Sequence, residues 1–200
     1  MCFLLETIKI ENGEIRNLKY HNLRFNKSRK EKFGISAEAD LSEWLTIPTD
    51  MGSGVYRCRM IYGDQLEKIE FHTPKTRTIR SLKLVHSQEI DYPYKYADRK
   101  QLESLFAQRG NCDEVLIVKN GFVTDTSISN IVFRQDDGSW VTPNSPLLSG
   151  TMRMYLLDTG QISESVIRPE ILHSFTGAKM INCMMDIDES PLIEMDRIST

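Results

Sequence analysis

Two side chains in the middle of the chain, Lys95 and Asp125, are of types that can do chemistry on a carbonyl and on a ring nitrogen. Lys95 stands between Tyr94 and Tyr96, just after Pro93. The proline biases Tyr92 toward an extended backbone, and the two tyrosines can wall the lysine with aromatic surface. A lysine in such partly apolar surroundings gives up its proton more easily and can form a Schiff base with a carbonyl. Asp125 comes near the end of a strand-like stretch and precedes the small polar residues Thr126, Ser127 and Ser129-Asn130. A carboxylate there can pair with a protonated ring nitrogen. Taken singly, each residue also has a plainer reading: Lys95 as a solvated lysine, Asp125 as a strand-end acid.

Two further places could hold an anion. His21-Asn22-Leu23-Arg24 puts an arginine one helical turn after a histidine. A guanidinium can make two parallel charge-assisted hydrogen bonds to phosphate oxygens, which a lysine cannot reproduce. Gly150 precedes a helical pattern, where glycine allows close backbone approach and the N–H groups of Thr151 and Met152 can point at an anion. By themselves, an exposed helix arginine and a glycine at a loop–helix junction are the commoner explanations, and His21 alone reads as structural.

The elements that must position these residues follow from turn chemistry and periodicity. Asn12-Gly13 and Asn120-Gly121 are two-residue hairpin signals. The first joins strands expected over residues 4–10 and 14–18. The second joins the apolar run Val115-Leu116-Ile117-Val118 to a strand through Phe122 and Val123 that delivers Asp125, and residues 131–133 form a third strand. A basic helix is expected over residues 21–33, with Leu23 and Phe25 among its apolar positions and Gly34 ending it. Short helical patterns lie at 41–45 and from Arg99, and strands at 55–61 and 68–71. The composition turns polar around Pro74, which predicts two domains, 1–76 and 77–200. In the second, 81–86 reads as a strand, 142–146 as a loop, Gly150 to Asp158 as a helix, 169–175 as a helix and 179–183 as a buried strand. Strands and helices alternate irregularly, so the class is α+β.

Several ordered motifs point to a family. Lys95-Tyr96-Ala97-Asp98-Arg99, Asp113-Glu114, Gly121-Phe122-Val123-Thr124-Asp125-Thr126, Ser129-Asn130, Trp140-Val141-Thr142-Pro143 and Leu147-Leu148-Ser149-Gly150-Thr151-Met152-Arg153 together resemble the class IV aminotransferases. These include branched-chain and D-amino-acid transaminases and aminodeoxychorismate lyase. The match runs from Leu5 to about Pro191. It implies two subdomains of the D-amino-acid aminotransferase-like fold with the cofactor cleft between them, and a pyridoxal 5'-phosphate enzyme acting as a homodimer on a small amino compound. It further implies that Lys95, in the second domain, carries the cofactor as a Schiff base and then acts as general acid and base. Arg24, Gly150, Thr151 and Met152 would bind the phosphate, Asp125 would face the pyridine nitrogen, and Ser129 and Asn130 would also contact the cofactor.

The chain departs from the family pattern in two places. Glutamate is more usual at the position of Asp125, and members usually carry a further strand and a glycine-rich segment ahead of the part matching Leu5-Glu6-Thr7-Ile8. Among the family's reactions, Thr7, Gly150-Thr151-Met152-Arg153 and Asn182-Cys183-Met184 resemble aminodeoxychorismate lyases. The implied reaction leaves 4-aminobenzoate and pyruvate, with Lys95 and Thr7 at the reacting atoms. An amino-acid transaminase, or a cofactor-binding relative without turnover, is the alternative.

Composition narrows the class. The net charge is -3, which gives no bulk reason to expect nucleic acid, and the basic run 27–32 reads as a solvated helix face. The four cysteines form no CxxC, no metal site is expected, and no apolar run approaches the ~20 residues of a membrane span. A cytoplasmic location is the expectation.

Overall fold

The structure, a computed structural model, describes residues 2–49, 51–75 and 77–200. Its backbone contacts divide the chain into two compact units, Met1–Thr76 with Tyr94–Asp98, and Arg77–Pro93 with Arg99–Thr200. Thr76, at the expected boundary, lies outside the described residues. The segment that carries Lys95 therefore packs with the first unit, where the sequence had suggested the second. Among the described residues no helix is long and apolar enough to cross a membrane.

The first unit is a four-stranded antiparallel sheet with a helix on its apolar face. β1 (Leu4–Glu11) turns through Asn12 and Gly13, both at positive φ (52° and 81°), into the short β2 (Glu14–Ile15). That is the left-handed pair of a tight hairpin, which asparagine and glycine adopt with little strain. α1 (Leu18–Phe33) begins earlier than expected, because Asn17 also takes a positive φ, 54°, and turns the chain out of the strand. Gly34, at φ 73°, ends α1 and donates its N–H to the carbonyls of Arg29 and Lys30. α2 (Leu41–Trp44) is one turn capped by Asp40, and β3 (Val55–Tyr62) and β4 (Leu66–His72) complete the sheet in the order β2-β1-β3-β4.

Alternation along β1 sends Leu4, Glu6, Ile8 and Ile10 to the helix side, where they meet Cys58, Met60 and Tyr62 of β3. α1 closes this core with Phe25, whose ring stands edge-on to Trp44 at 5.1 Å and to Tyr62 at 4.7 Å. The buried stripe of α1 is Tyr20, His21, Arg24, Phe25, Ser28 and Arg29. Leu23 points outward and is 55% exposed, so the basic helix buries polar residues that the apolar pattern alone did not mark.

The second unit holds two four-stranded sheets. One, in the order β12-β5-β6-β7, takes β5 (Leu82–His86), β6 (Glu114–Lys119), β7 (Phe122–Thr126) and, from the chain end, β12 (Ile198–Ser199). β5 and β6 are parallel, linked by α3 (Lys100–Phe106), while β6 and β7 form a hairpin over Asn120 and Gly121, again both at positive φ. The other sheet, β10-β9-β8-β11, contains β8 (Asn130–Arg134), β9 (Trp140–Pro143), β10 (Ser163–Ser165) and β11 (Gly177–Ile181). Leu116, Val118, Val123, Ile131 and Phe133 pack in one core. α4 (Thr151–Asp158) lies over a smaller cluster of Val132, Met152, Leu156, Ile162 and Ile181. Pro169–Ser174, expected as a helix, is a 3-10 turn, and β10 is a strand that its Ser-Glu-Ser sequence did not announce.

Candidate active site

In the first unit, residues 95–97 run antiparallel to the start of β1. The Leu5 N–H donates to the Lys95 carbonyl at 2.8 Å, the Ala97 N–H donates to the Phe3 carbonyl at 2.9 Å, and Leu4 pairs with Tyr96. Residues opposite one another in such a pair share a face, so Lys95 goes with Leu5 and, two residues along, with Thr7. Tyr94 and Tyr96 go the other way. They pack on the core, ring edge to face at 5.9 Å, with the Lys32 ammonium over both. The expected aromatic walls around Lys95 are thus not formed by these two tyrosines: the pleat that places the lysine on one face commits its neighbours to the other.

On the core face of β1, Glu6 is fully buried and holds both residues of the His-x-x-Arg element. Arg24 donates Nε to Glu6 Oε1 at 2.9 Å and Nη2 to Oε2 at 2.5 Å, and His21 Nδ1 lies 2.6 Å from Oε2. Burial would push the Glu6 carboxyl upward; the adjacent Arg24 charge, with the hydrogen bonds from His21 and Arg24, outweighs it and holds the group at about 2. Burial lowers His21 below its ordinary value, opposed by the bond and charge of Glu6, with the charges of Arg24 and Lys95 adding to the lowering. The imidazole is neutral, and its carboxylate partner assigns the proton to Nδ1. One edge of the Arg24 fork is therefore committed within the protein. Glu6 escaped the sequence reading. Its signal was an acid at an inward position of an alternating apolar strand, where a charge must have a partner.

In the second unit, Asp125 is 5% exposed and set among donors from residues distant in sequence. Asn130 Nδ2 donates to Oδ1 at 2.7 Å, and the N–H groups of Leu147 and Leu148 donate to Oδ2 at 2.8 and 3.0 Å. Burial raises the carboxyl to about 6, against the lowering by those three bonds and by the Arg153 charge. The second Asn130 amide hydrogen goes to the Leu148 carbonyl at 2.9 Å, so Asn130, expected against the cofactor, uses both amide hydrogens within the protein. Ser129 closes the turn before it: its N–H donates to Thr126 Oγ1, and its carbonyl accepts from the Thr126 N–H and hydroxyl. Asn182 Nδ2 donates to Ser129 Oγ at 2.8 Å, tying in the stretch that carries Cys183 and Met184.

Gly150 is the residue before α4. A Cβ built there would stand 2.0 Å from Asn130 Oδ1, so the packing itself requires glycine. The Gly150 carbonyl accepts from the Met154 N–H, which opens the helix. Arg153 fixes the helix by donating Nη2 to the Pro143 carbonyl at 2.9 Å and to Glu164 at 2.5 Å.

These residues suit a flat, anionic group with a basic ring nitrogen. A carboxylate has about four lone-pair positions. Asp125 fills three with protein donors, and its raised proton affinity shows that the buried charge lacks full compensation. A protonated ring nitrogen would supply both the fourth donor and the countercharge. Within the second unit this carboxylate therefore fits a cofactor that carries a basic ring nitrogen.

Residues 60–187 match the family described as amino-transferase class IV, and the chain belongs to that family, whose enzymes use pyridoxal 5'-phosphate. An uncharacterised protein of Haemophilus influenzae is 41% identical over 183 residues, 90% of this chain and 97% of its own. A crystal structure from Haemophilus somnus 129PT, provisionally named a 4-amino-4-deoxychorismate lyase, is 35% identical and covers 94% of this chain and 98% of its own, with a TM-score of 0.86. One from Mesorhizobium loti, provisionally named an amino-acid aminotransferase, has a TM-score of 0.80 at 21% identity, covering 97% and 98%; at that identity the likeness is of fold.

Proposed function

We propose that this enzyme is an aminodeoxychorismate lyase, which splits its substrate into 4-aminobenzoate and pyruvate. What carries the reading is that Thr7, which resembles the lyases' threonine, shares a strand face with Lys95. The name given to the Haemophilus somnus protein, similar over nearly its whole length, supports it.

Pyridoxal phosphate, when bound, supplies the carbonyl that Lys95 engages and the ring into which electrons from the substrate carbon are drawn. In the second unit the Gly150 turn would bind its phosphate and Asp125 would keep the ring nitrogen protonated; in the first, Arg24 is the candidate phosphate ligand. Lys95 Nζ takes the proton from the carbon that bears the substrate's amino group. The Thr7 hydroxyl donates a hydrogen bond to the departing enol oxygen. Substrate atoms divide completely between the two products, so no second reactant is needed. The enzyme acts in the cytoplasm as a homodimer, and its product serves folate synthesis.

Borohydride reduction of cofactor-loaded protein followed by peptide mapping should label Lys95, and substrate should then yield equal amounts of 4-aminobenzoate and pyruvate. A label elsewhere overturns the lysine assignment. Amino transfer to a keto acid without 4-aminobenzoate would make the enzyme a transaminase.

A further inference from the structure

Asp125 makes contacts that a residue serving only a ring nitrogen would not need. Both N–H groups it accepts on Oδ2 belong to successive residues, Leu147 and Leu148, which lead straight into Ser149 and Gly150. Its Oδ1 accepts from Asn130, whose second amide hydrogen holds the Leu148 carbonyl and whose Oδ1 fills the space where a side chain on residue 150 would be. Residues 147–150 are thus gripped at two N–H groups, one carbonyl and one Cα by only two side chains. Both come from the end of β7 and the start of β8, joined by the turn at residues 127–129, 22 or 23 residues earlier for the Asp125 bonds. The geometry is suited to the shorter acid: a glutamate, one methylene longer, would carry its oxygens past both N–H groups unless the segment moved.

We propose that Asp125, with Asn130, is a positioning residue for the phosphate end of the cofactor, holding residues 147–150 in the shape from which Gly150 and the first turn of α4 meet the anion. The inference rests on the proposed reading that this turn binds phosphate. It adds that one carboxylate reads the ring nitrogen through its last lone pair and presets the anion cradle through the other three. Ring and phosphate recognition are then coupled: loss of the carboxylate weakens both.

The substitution Asp125→Asn separates this from a role at the ring alone. The amide can accept from Leu147 and Leu148 on its oxygen, but its NH2 then meets the NH2 of Asn130, donor against donor. The measurement is the ratio of pyridoxal to pyridoxal phosphate dissociation constants on the full apo-chain, which isolates what the phosphate contributes, together with hydrogen exchange at the Leu147 and Leu148 amides. In Asp125→Asn we expect the ratio to fall about tenfold, a loss of about 1.4 kcal/mol, and exchange at both amides to quicken. Asn130→Ala, which leaves the carboxylate at the ring, should do the same and covers the case in which the first variant does not fold. An unchanged ratio, with both ligands weakened equally, or unchanged amide protection in the variants, overturns the proposal. Gly150→Ala distinguishes the two levels. If it leaves the ratio unchanged, the phosphate lies elsewhere and the reading of the turn fails; if it lowers the ratio while the other variants do not, only the positioning role fails.

Discussion

Replacing Glu6 by glutamine should destabilise the first unit by about 3 kcal/mol at pH 7 and by almost nothing near pH 2. The substitution keeps the volume and one acceptor oxygen for Arg24 Nε, but turns an NH2 toward Arg24 Nη2 and His21 Nδ1, both donors. The size follows from the carboxyl's position at about 2 against an ordinary 4.5, with each pH unit equal to about 1.4 kcal/mol. It agrees with the roughly 3–5 kcal/mol typical of breaking one side of a buried ion pair. The sign follows from proton counting. Glu6 binds its proton less readily when folded, so its contribution is complete above pH 4.5 and disappears as the pH falls toward 2. His21, lowered by burial, also erodes stability as the pH falls below its ordinary 6.5, but it does so in parent and variant alike until its tautomer changes. Trp44 belongs to this unit and packs on Phe25, so urea unfolding followed by its fluorescence, in a Trp140→Phe background, reports the right transition. A variant within about 0.5 kcal/mol of the parent at pH 7, which is the scatter of ordinary surface changes, would refute the reasoning. So would a deficit that persists unchanged at pH 2.

The Asp125 carboxyl, raised to about 6 by burial, should titrate well below that once the cofactor's ring nitrogen is beside it; carbon-13 NMR of labelled aspartate would follow both states, and an unmoved titration would place the nitrogen elsewhere. Without that countercharge the group binds protons more readily folded than unfolded, so the apo-protein should lose about 3 kcal/mol of stability as the pH rises from 3.8 to 6, with pH–urea profiles of parent and Asp125→Asn as the check. A homodimer is expected from light scattering at dilute concentration, and a fully active monomer would contradict it.

What the sequence made legible is what local chemistry fixes. Asn12-Gly13 and Asn120-Gly121 announced their hairpins because few residues take positive φ in succession, and Gly34 announced the end of α1 for the same reason. The strand bearing Asp125 and the helix after Gly150 could be drawn from periodicity alone. The misreadings occurred where distant segments decide the outcome. Tyr94 and Tyr96 were assigned to Lys95 by adjacency, whereas pairing of Lys95 with Leu5, 90 positions earlier, turns them to the core. The Leu147 and Leu148 amides around Asp125 could not be read, since backbone N–H groups are the same in every sequence. Arg24 could be singled out as a candidate anion ligand, but its buried partner Glu6 could not.

The return of residues 94–98 to the first unit makes that unit discontinuous in the gene product. A fragment ending at residue 76 would leave the amide of Leu5 and the carbonyl of Phe3 open at an edge, a template for pairing with other chains. The same stitching is forgiving in another respect. It is made by main-chain atoms, which any residues at positions 3, 5, 95 and 97 can provide, proline apart at the two donors. Exchange of the first 76 residues with those of a relative should therefore preserve the seat of the lysine, even where the side chains around it have diverged.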